Sequence, residues 1–217
     1  GRVSSTLLFW RHGQTDYNAQ FRLQGQVDIP LNDDGHAQAR TAAAVLAQVK
    51  PVAIISSDLA RARDTAAYLS EHTGVPVRTD ERLRERNFGA WEGLTHPEIR
   101  SGWPEQFARW RDGGHPEGIG AETRSAVGRR VAHVAEEFAA AHDRGEVVVL
   151  VGHGAAISAG IVALLGQDPE SWHGVTGVGN CHWSVLRPND SATPPWRLTA
   201  HNAGGSLVDF PQGARIV

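Results

Sequence analysis

The chain of 217 residues balances 21 Lys and Arg against 24 Asp and Glu, giving a formal net charge of −3 and a pI near 6.4. That balance excludes a broadly basic surface for nucleic acid or membrane, so any anion must be attracted by local groups. One cysteine, Cys181, excludes an internal disulfide framework, and no apolar run approaches the roughly 18 to 20 residues that span a bilayer.

These bounds predict one compact α/β domain over residues 1–217, large enough for a substantial core. No signal peptide is expected ahead of the first strand, and a cytoplasmic location fits.

Leu7, Leu8, Phe9 and Trp10 form a short apolar block typical of a strand covered on both faces, and the block stops abruptly at Arg11-His12-Gly13. Gly13 lets the backbone turn sharply, which delivers a guanidinium and an imidazole together at the carboxyl end of the strand. Open α/β sheets bind ligands there. Phe21 to Pro30 contains Gly25 and Pro30 without a helical period and reads as a loop over the pocket. Asn18 and Gln24 could donate amide hydrogens there, although Gln24 reads equally as a solvated loop residue. Asn32 to Asp34 supply caps for a helix over His36 to Val49.

Val52 to Ile55 predicts the next strand, with Ser56-Ser57-Asp58 capping a helix from Leu59 to Thr73. Arg61 falls in that helix's first turn, where its charge and the helix dipole both favour an anion, the dipole by about 0.3 to 1 kcal/mol. Arg63 points elsewhere and reads as a surface residue. Val75 to Arg78 is a plausible edge strand. Glu85, between Arg84 and Arg86, reads by itself as part of a surface ion-pair cluster, and Thr95 with Glu98 forms a capping box around Pro97 that starts a short helix.

Ser101 to Ala121 is the least regular stretch, rich in glycine and proline, and residues 94–122 around it read as a lid or specificity segment. Trp103, Phe107 and Trp110 put apolar surface into it. Arg109 and Arg111 could meet an acidic part of a substrate, or the aromatics could anchor the loop with both arginines solvated. A long helix follows to Asp143, with Val127, Val131, Val134 and Phe138 as its buried stripe. Val147 to Val151 is a second buried strand that also ends in His-Gly, at His153. An apolar helix over Ala155 to Leu165 and strands over Gly179 to Leu186 and Trp196 to Asn202 complete the chain. His115, His173, His182 and His201 have no pairing with carboxylates at metal spacing, so no metal site is expected.

If the two His-Gly strands run parallel in one sheet, His12 and His153 face one another across a pocket. Five ordered segments then resemble the histidine phosphatase superfamily, also called phosphoglycerate-mutase-like. RHGQTDYN matches its RHG-x-T-x-x-N opening, and LNDDGHAQAR, SSDLARARDTA, LRERNFGAWEG and VGHG match the later segments at family spacing. The resemblance implies a three-layer α/β sandwich with a mostly parallel central sheet flanked by helices. It also implies a metal-independent phosphomonoesterase needing no cofactor, with a phosphohistidine formed on His12.

By the same resemblance Glu85 is the general acid and base, Arg11, Arg61 and His153 complete the catalytic set, and Arg11, Asn18, Gln24, Gly25, Arg61 and His153 hold the phosphoryl group. Trp91, Glu92 and Gly93 form a supporting turn.

Cofactor-dependent phosphoglycerate mutases of the superfamily carry a longer insertion after the acid, with paired arginines for the substrate carboxylate. Here that stretch is short, and Asp112 follows Trp110-Arg111, which favours the phosphatase branch. GHGAAISAG, GVGNCHW and WRLTAHNA resemble the phosphatases acting on glucosyl-3-phosphoglycerate. The expected partner is therefore a small phosphate ester, a phosphorylated sugar or glycerate, with neither nucleic acid nor membrane. A mutase and a broad-specificity or α-ribazole phosphatase are the alternatives, and the family often dimerises.

Overall fold

The structure is a computed structural model and describes residues 4–204. The expected 1–217 domain thus includes residues 1–3 and 205–217, which lie outside the described residues. In chain order, β1 (Thr6–Arg11), α1 (Asp16–Ala19), α2 (Asp33–Leu46), β2 (Ala53–Ser56), α3 (Ala60–Thr73) and β3 (Val77–Thr79) come first. Then come α4 (His96–Gly102), α5 (Pro104–Arg111), α6 (Arg124–Ala140), β4 (Val147–Gly152), α7 (Gly154–Leu164), β5 (Trp183–Pro188) and β6 (Trp196–Ala203).

The strands form one six-stranded sheet in the order β3-β2-β4-β1-β5-β6. Pairing is parallel from β3 through β1 and antiparallel at β5. Successive side chains of a strand point to opposite faces, so a continuous apolar run feeds two cores. Leu7, Phe9, Val148 and Leu150 pack with Val127, Val131 and Ile157 of α6 and α7. Leu8, Trp10, Val149 and Val151 pack with Ala39, Ala43, Ala62 and Ala66 of α2 and α3. Each fully buried Leu or Val contributes about 1.5 to 3 kcal/mol by leaving water, which makes these alternating faces the source of the three-layer sandwich.

The register pairs Arg11 with Gly152. The chain leaves β1 for α2 on one face and leaves β4 for α7 on the other, so the two strand ends flank a switch in topology. A crevice opens at such a point. Gly35 at the start of α2 seals one side of it, since a Cβ there would lie 2.1 Å from the Gln14 carbonyl oxygen. Glycine is required by that close approach.

Several boundaries differ from the sequence expectation for local reasons. Asn32 Oδ1 accepts from Gly35 N at 2.8 Å, so α2 begins at Asp33. The edge strand is Val77–Thr79, because Gly74 takes φ 74° and Ser70 Oγ donates to the Val75 carbonyl, drawing Val75 into the turn. The strand expected from Gly179 begins at Trp183, since His182 N donates back to the Gly179 carbonyl. Neither Ser56 nor Asp58 caps α3. Asp58 instead pairs with Arg84 at 2.6 Å, and Ala60 N finds Asp28 Oδ1 of the 21–30 loop at 2.8 Å. Only half of the capping box after Thr95 forms, because Glu98 turns to Arg22 at 3.3 Å.

The short helix expected after Thr95 is α4, and the stretch read as irregular contains a further helix, α5. Trp103, Phe107 and Trp110 pack against a third small core of Leu23, Phe88, Trp91, Ile99 and Ile119. The aromatics therefore anchor this segment, and Arg109 and Arg111 are exposed on its outer side.

Candidate active site

Arg11 closes β1 and is 3% exposed; His12 is 1% exposed. His12 Nδ1 lies 2.6 Å from the Gly13 carbonyl oxygen and must donate to it, which leaves Nε2 with a free lone pair. Burial first, then the Arg61 and Arg11 charges, hold this imidazole well below its ordinary pKa, so it is neutral. The turn itself is fixed by Gly13 N donating to Thr65 Oγ1 at 3.1 Å and His12 N donating to the Gly152 carbonyl at 3.0 Å.

His153 is the N-cap of α7, with its ring centroid 5.1 Å from that of His12. Its Nε2 is 2.8 Å from Ser57 Oγ. Ser57 Oγ also accepts from Leu59 N, and with its hydroxyl hydrogen directed to Nε2 the His153 proton would reside on Nδ1. Burial, followed by Arg61, His12 and Arg11, keeps this ring neutral as well.

Arg61 is fully buried. Its terminal nitrogens donate to the carbonyls of Gly25 at 2.8 Å and Val27 at 2.5 Å, so the 21–30 loop is tied directly to α3. Burial lowers its pKa to about 10, which leaves it cationic at neutral pH. Arg11 Nη1 donates to the Val178 carbonyl at 2.7 Å. Among the described residues, Arg11 Nε and Arg61 Nε each remain buried without a hydrogen-bond partner, and so does His153 Nδ1. An unsatisfied buried donor costs about 1 to 3 kcal/mol, so this cluster favours an anion that would satisfy all of them.

Glu85 is 9% exposed. Its Oε1 accepts from Arg86 N and Ala156 N, both at 2.8 Å, while Oε2 accepts from Ala155 N alone at 3.1 Å. The carboxylate thus sits on the N-terminus of α7, next to His153, where the helix dipole and free N–H groups stabilise negative charge. It also opposes the burial cost of the Arg11 and Arg61 charges.

Residues 7–203 match the Histidine phosphatase superfamily (branch 1). The chain belongs to the histidine phosphatase superfamily. A glucosyl-3-phosphoglycerate phosphatase of Mycolicibacterium vanbaalenii is 41% identical over 94% of this chain and 96% of its own. A second, from Mycobacterium tuberculosis, is 40% identical over 93% and 96%. A solved mycobacterial glucosyl-3-phosphoglycerate phosphatase complexed with VO3 superposes with a TM-score of 0.84 at 40% identity, covering 92% of this chain and 99% of that one. With such relatives across nearly its whole length, this histidine phosphatase is a phosphoric monoester hydrolase of the phosphatase branch.

The fold of this histidine phosphatase brings His12, Arg11, Arg61, His153 and Glu85 to one end of the β1–β4 seam. Asn18 and Gln24 occupy a supporting position. Asn18 Oδ1 accepts from Thr15 N at 3.0 Å and from Asn180 Nδ2 at 3.3 Å, and Gln24 Oε1 accepts from Thr15 Oγ1 at 2.6 Å. Gln24 is buried rather than solvated, and Gly25 enters through its carbonyl on Arg61 and a φ of 51°.

Sequence reasoning missed Ser57, read as a cap, because its partner His153 lies 96 residues away. It also missed Arg130. From α6, Arg130 donates to the carbonyls of Arg82, Arg84 and Glu85, and helical periodicity marks it only as a polar position. Among the described residues no group of three or more His, Cys, Asp or Glu could hold a metal ion, and no helix is long and apolar enough to cross a membrane.

Proposed function

We propose that this phosphatase hydrolyses glucosyl-3-phosphoglycerate through a phosphohistidine on His12. The observation that carries the reading is the neutral His12 with Nε2 free, set beside three buried donors that lack partners. Nε2 attacks phosphorus, the ester P–O bond breaks, and Glu85, as general acid, gives a proton to the leaving oxygen. Oε2 accepts one hydrogen bond against two at Oε1, so Oε2 has the open position for that proton.

In the second step Glu85 takes a proton from water, the resulting oxygen attacks phosphorus, the P–N bond breaks, and His12 regains its lone pair as inorganic phosphate leaves. Arg11, Arg61 and His153 Nδ1–H stabilise the charge on the transferring group in both steps. The positive charge this chemistry needs comes from guanidiniums, with no metal or cofactor in the proposed cycle.

The choice of substrate rests on the relatives at 40 and 41% identity. The proposal treats the chain as one domain, with residues 94–122 as its specificity segment. It places the reaction in the cytoplasm, where a phosphate ester that also carries a carboxylate is retained because such a polyanion does not diffuse through a bilayer.

Phosphate release from glucosyl-3-phosphoglycerate, 3-phosphoglycerate, α-ribazole phosphate and an aryl phosphate, with mutase turnover followed in parallel, tests the reading. Fast release from the glucosylated ester, lost in His12→Ala, is expected. Isomerisation of phosphoglycerate without net release would overturn it.

A further inference from the structure

A cavity of about 250 Å³ opens beside the catalytic groups, with Gly154 and Ala155 of α7 in its wall. Ala155 is the residue whose N–H binds Glu85 Oε2, and Gly154 directly follows His153. The cavity therefore begins where the ester oxygen of a bound substrate would leave. Its remaining wall includes Arg86, Arg124, Phe88 and Trp110.

Arg86 is 3% exposed, and its guanidinium lies 5.0 Å over the Phe88 ring. Arg86 Nε donates to the Glu122 carbonyl at 2.8 Å, and Nη2 reaches His115 Nδ1 at 3.4 Å. Arg124 Nη1 donates to His173 Nδ1 at 2.6 Å. Among the described residues neither arginine makes an ion pair. Of the nearby carboxylates, Glu122 and Glu85 are committed elsewhere, while Glu170 acts on both arginines through its charge without an ion pair to either. Glu122 binds Arg130 at 2.9 Å and Asn87 N at 2.8 Å, Glu85 holds the N-terminus of α7, and Glu170 accepts from Ser125 N at 3.4 Å.

On one small cavity, burial first and then the Arg124 charge pull Arg86 down to about 10, and Glu170 offsets only part of that cost. An anion between them removes both penalties, and a forked guanidinium matches a carboxylate in particular. Arg109 and Arg111 are exposed on the outside of α5 and do not line the cavity.

We propose that this cavity is the carboxylate subsite, and that Arg86 and Arg124 select phosphate esters bearing a carboxylate separated from the phosphorylated carbon by one further carbon. The inference rests on the phosphatase reading of the adjoining site, and it deepens that reading by naming the residues that choose the substrate.

Binding without turnover separates the two. In His12→Ala protein, calorimetric affinities for 3-phosphoglycerate and glycerol 3-phosphate differ only by carboxylate against hydroxymethyl. The carboxylated ester is expected to bind about 10 to 100-fold more tightly, as hydrogen bonds to charged groups allow. Arg124→Gln added to His12→Ala should collapse that preference to about threefold or less, whereas Arg109→Gln should leave it intact. Arg124→Gln is the primary variant because Arg86 also holds the Glu122 carbonyl, and its loss would disturb the fold.

Equal affinities for the two esters, no binding of 3-phosphoglycerate, or an equal loss of both in Arg124→Gln would overturn the subsite. Phosphate release by the unsubstituted protein is read separately. Its absence from every ester would overturn the phosphatase reading while the binding preference still decided the subsite.

Discussion

Replacing Arg130 with methionine removes a clamp on the segment that carries Glu85. The guanidinium makes five hydrogen bonds. Nη1 donates to the carbonyls of Arg82 at 2.8 Å and Arg84 at 2.7 Å, and Nη2 to the Glu85 carbonyl at 3.0 Å and to Glu122 Oε1 at 2.9 Å. Nε completes the fork on Glu122 Oε2 at 3.1 Å.

A bond to a charged group is worth roughly 1.5 to 3 kcal/mol when buried. The side chains of Arg130 and Glu122 are 21% and 25% exposed, so water recovers part of each loss. The expected net cost is about 3 to 5 kcal/mol of folding stability. Activity should fall by only about tenfold, because three backbone N–H groups still hold the Glu85 carboxylate itself.

Denaturant unfolding of wild type, Arg130→Met and Arg130→Lys measures the first quantity, and steady-state rates on an aryl phosphate measure the second. Lysine has a compact charge without the fork, so it should recover no more than about 1 kcal/mol. A loss below about 1 kcal/mol for methionine, or full recovery by lysine, would refute the clamp.

Glu85→Gln keeps the shape of the side chain and removes the proton transfer proposed for it, so it should cost roughly 10² to 10⁴ in rate on a sugar phosphate and far less on an activated aryl phosphate. Equal losses on the two substrates would argue against proton transfer by this residue. Acidification should destabilise the protein through His12 and His153, whose folded pKa values both lie below the ordinary value. Below pH about 6.5 the unfolded chain takes up protons that the folded chain refuses, so stability falls with pH by up to about 1.4 kcal/mol per unit for each histidine. Melting temperatures between pH 7.5 and 5.5 test this; a flat profile, or an unchanged slope in His153→Gln, would contradict it. Gly35→Ala should cost about 1 to 3 kcal/mol and slow turnover, because the new methyl meets the Gln14 carbonyl oxygen at 2.1 Å and pushes α2 away from the His12 turn. A variant as stable and as active as wild type would show that the contact relaxes freely.

The sequence by itself determined the layered α/β fold and the two strand ends that carry His12 and His153. Those features depend on patterns a few residues long. A run such as Leu7–Trp10 must be buried on both faces, and Gly13 must end it in a turn. The matched segments also placed Arg11, Arg61 and Glu85, whose partners the chain alone could not supply.

Tertiary structure decided the remainder, because each deciding contact joins residues distant in sequence. Ser57 meets His153 across 96 positions, Arg130 reaches back 45 positions to the Glu85 carbonyl, and Asp28 caps a helix 32 residues later. Glu85 has the same adjacent arginines in either reading. It leaves the surface only because α7 offers its N-terminal N–H groups, which satisfy the carboxylate and allow its burial.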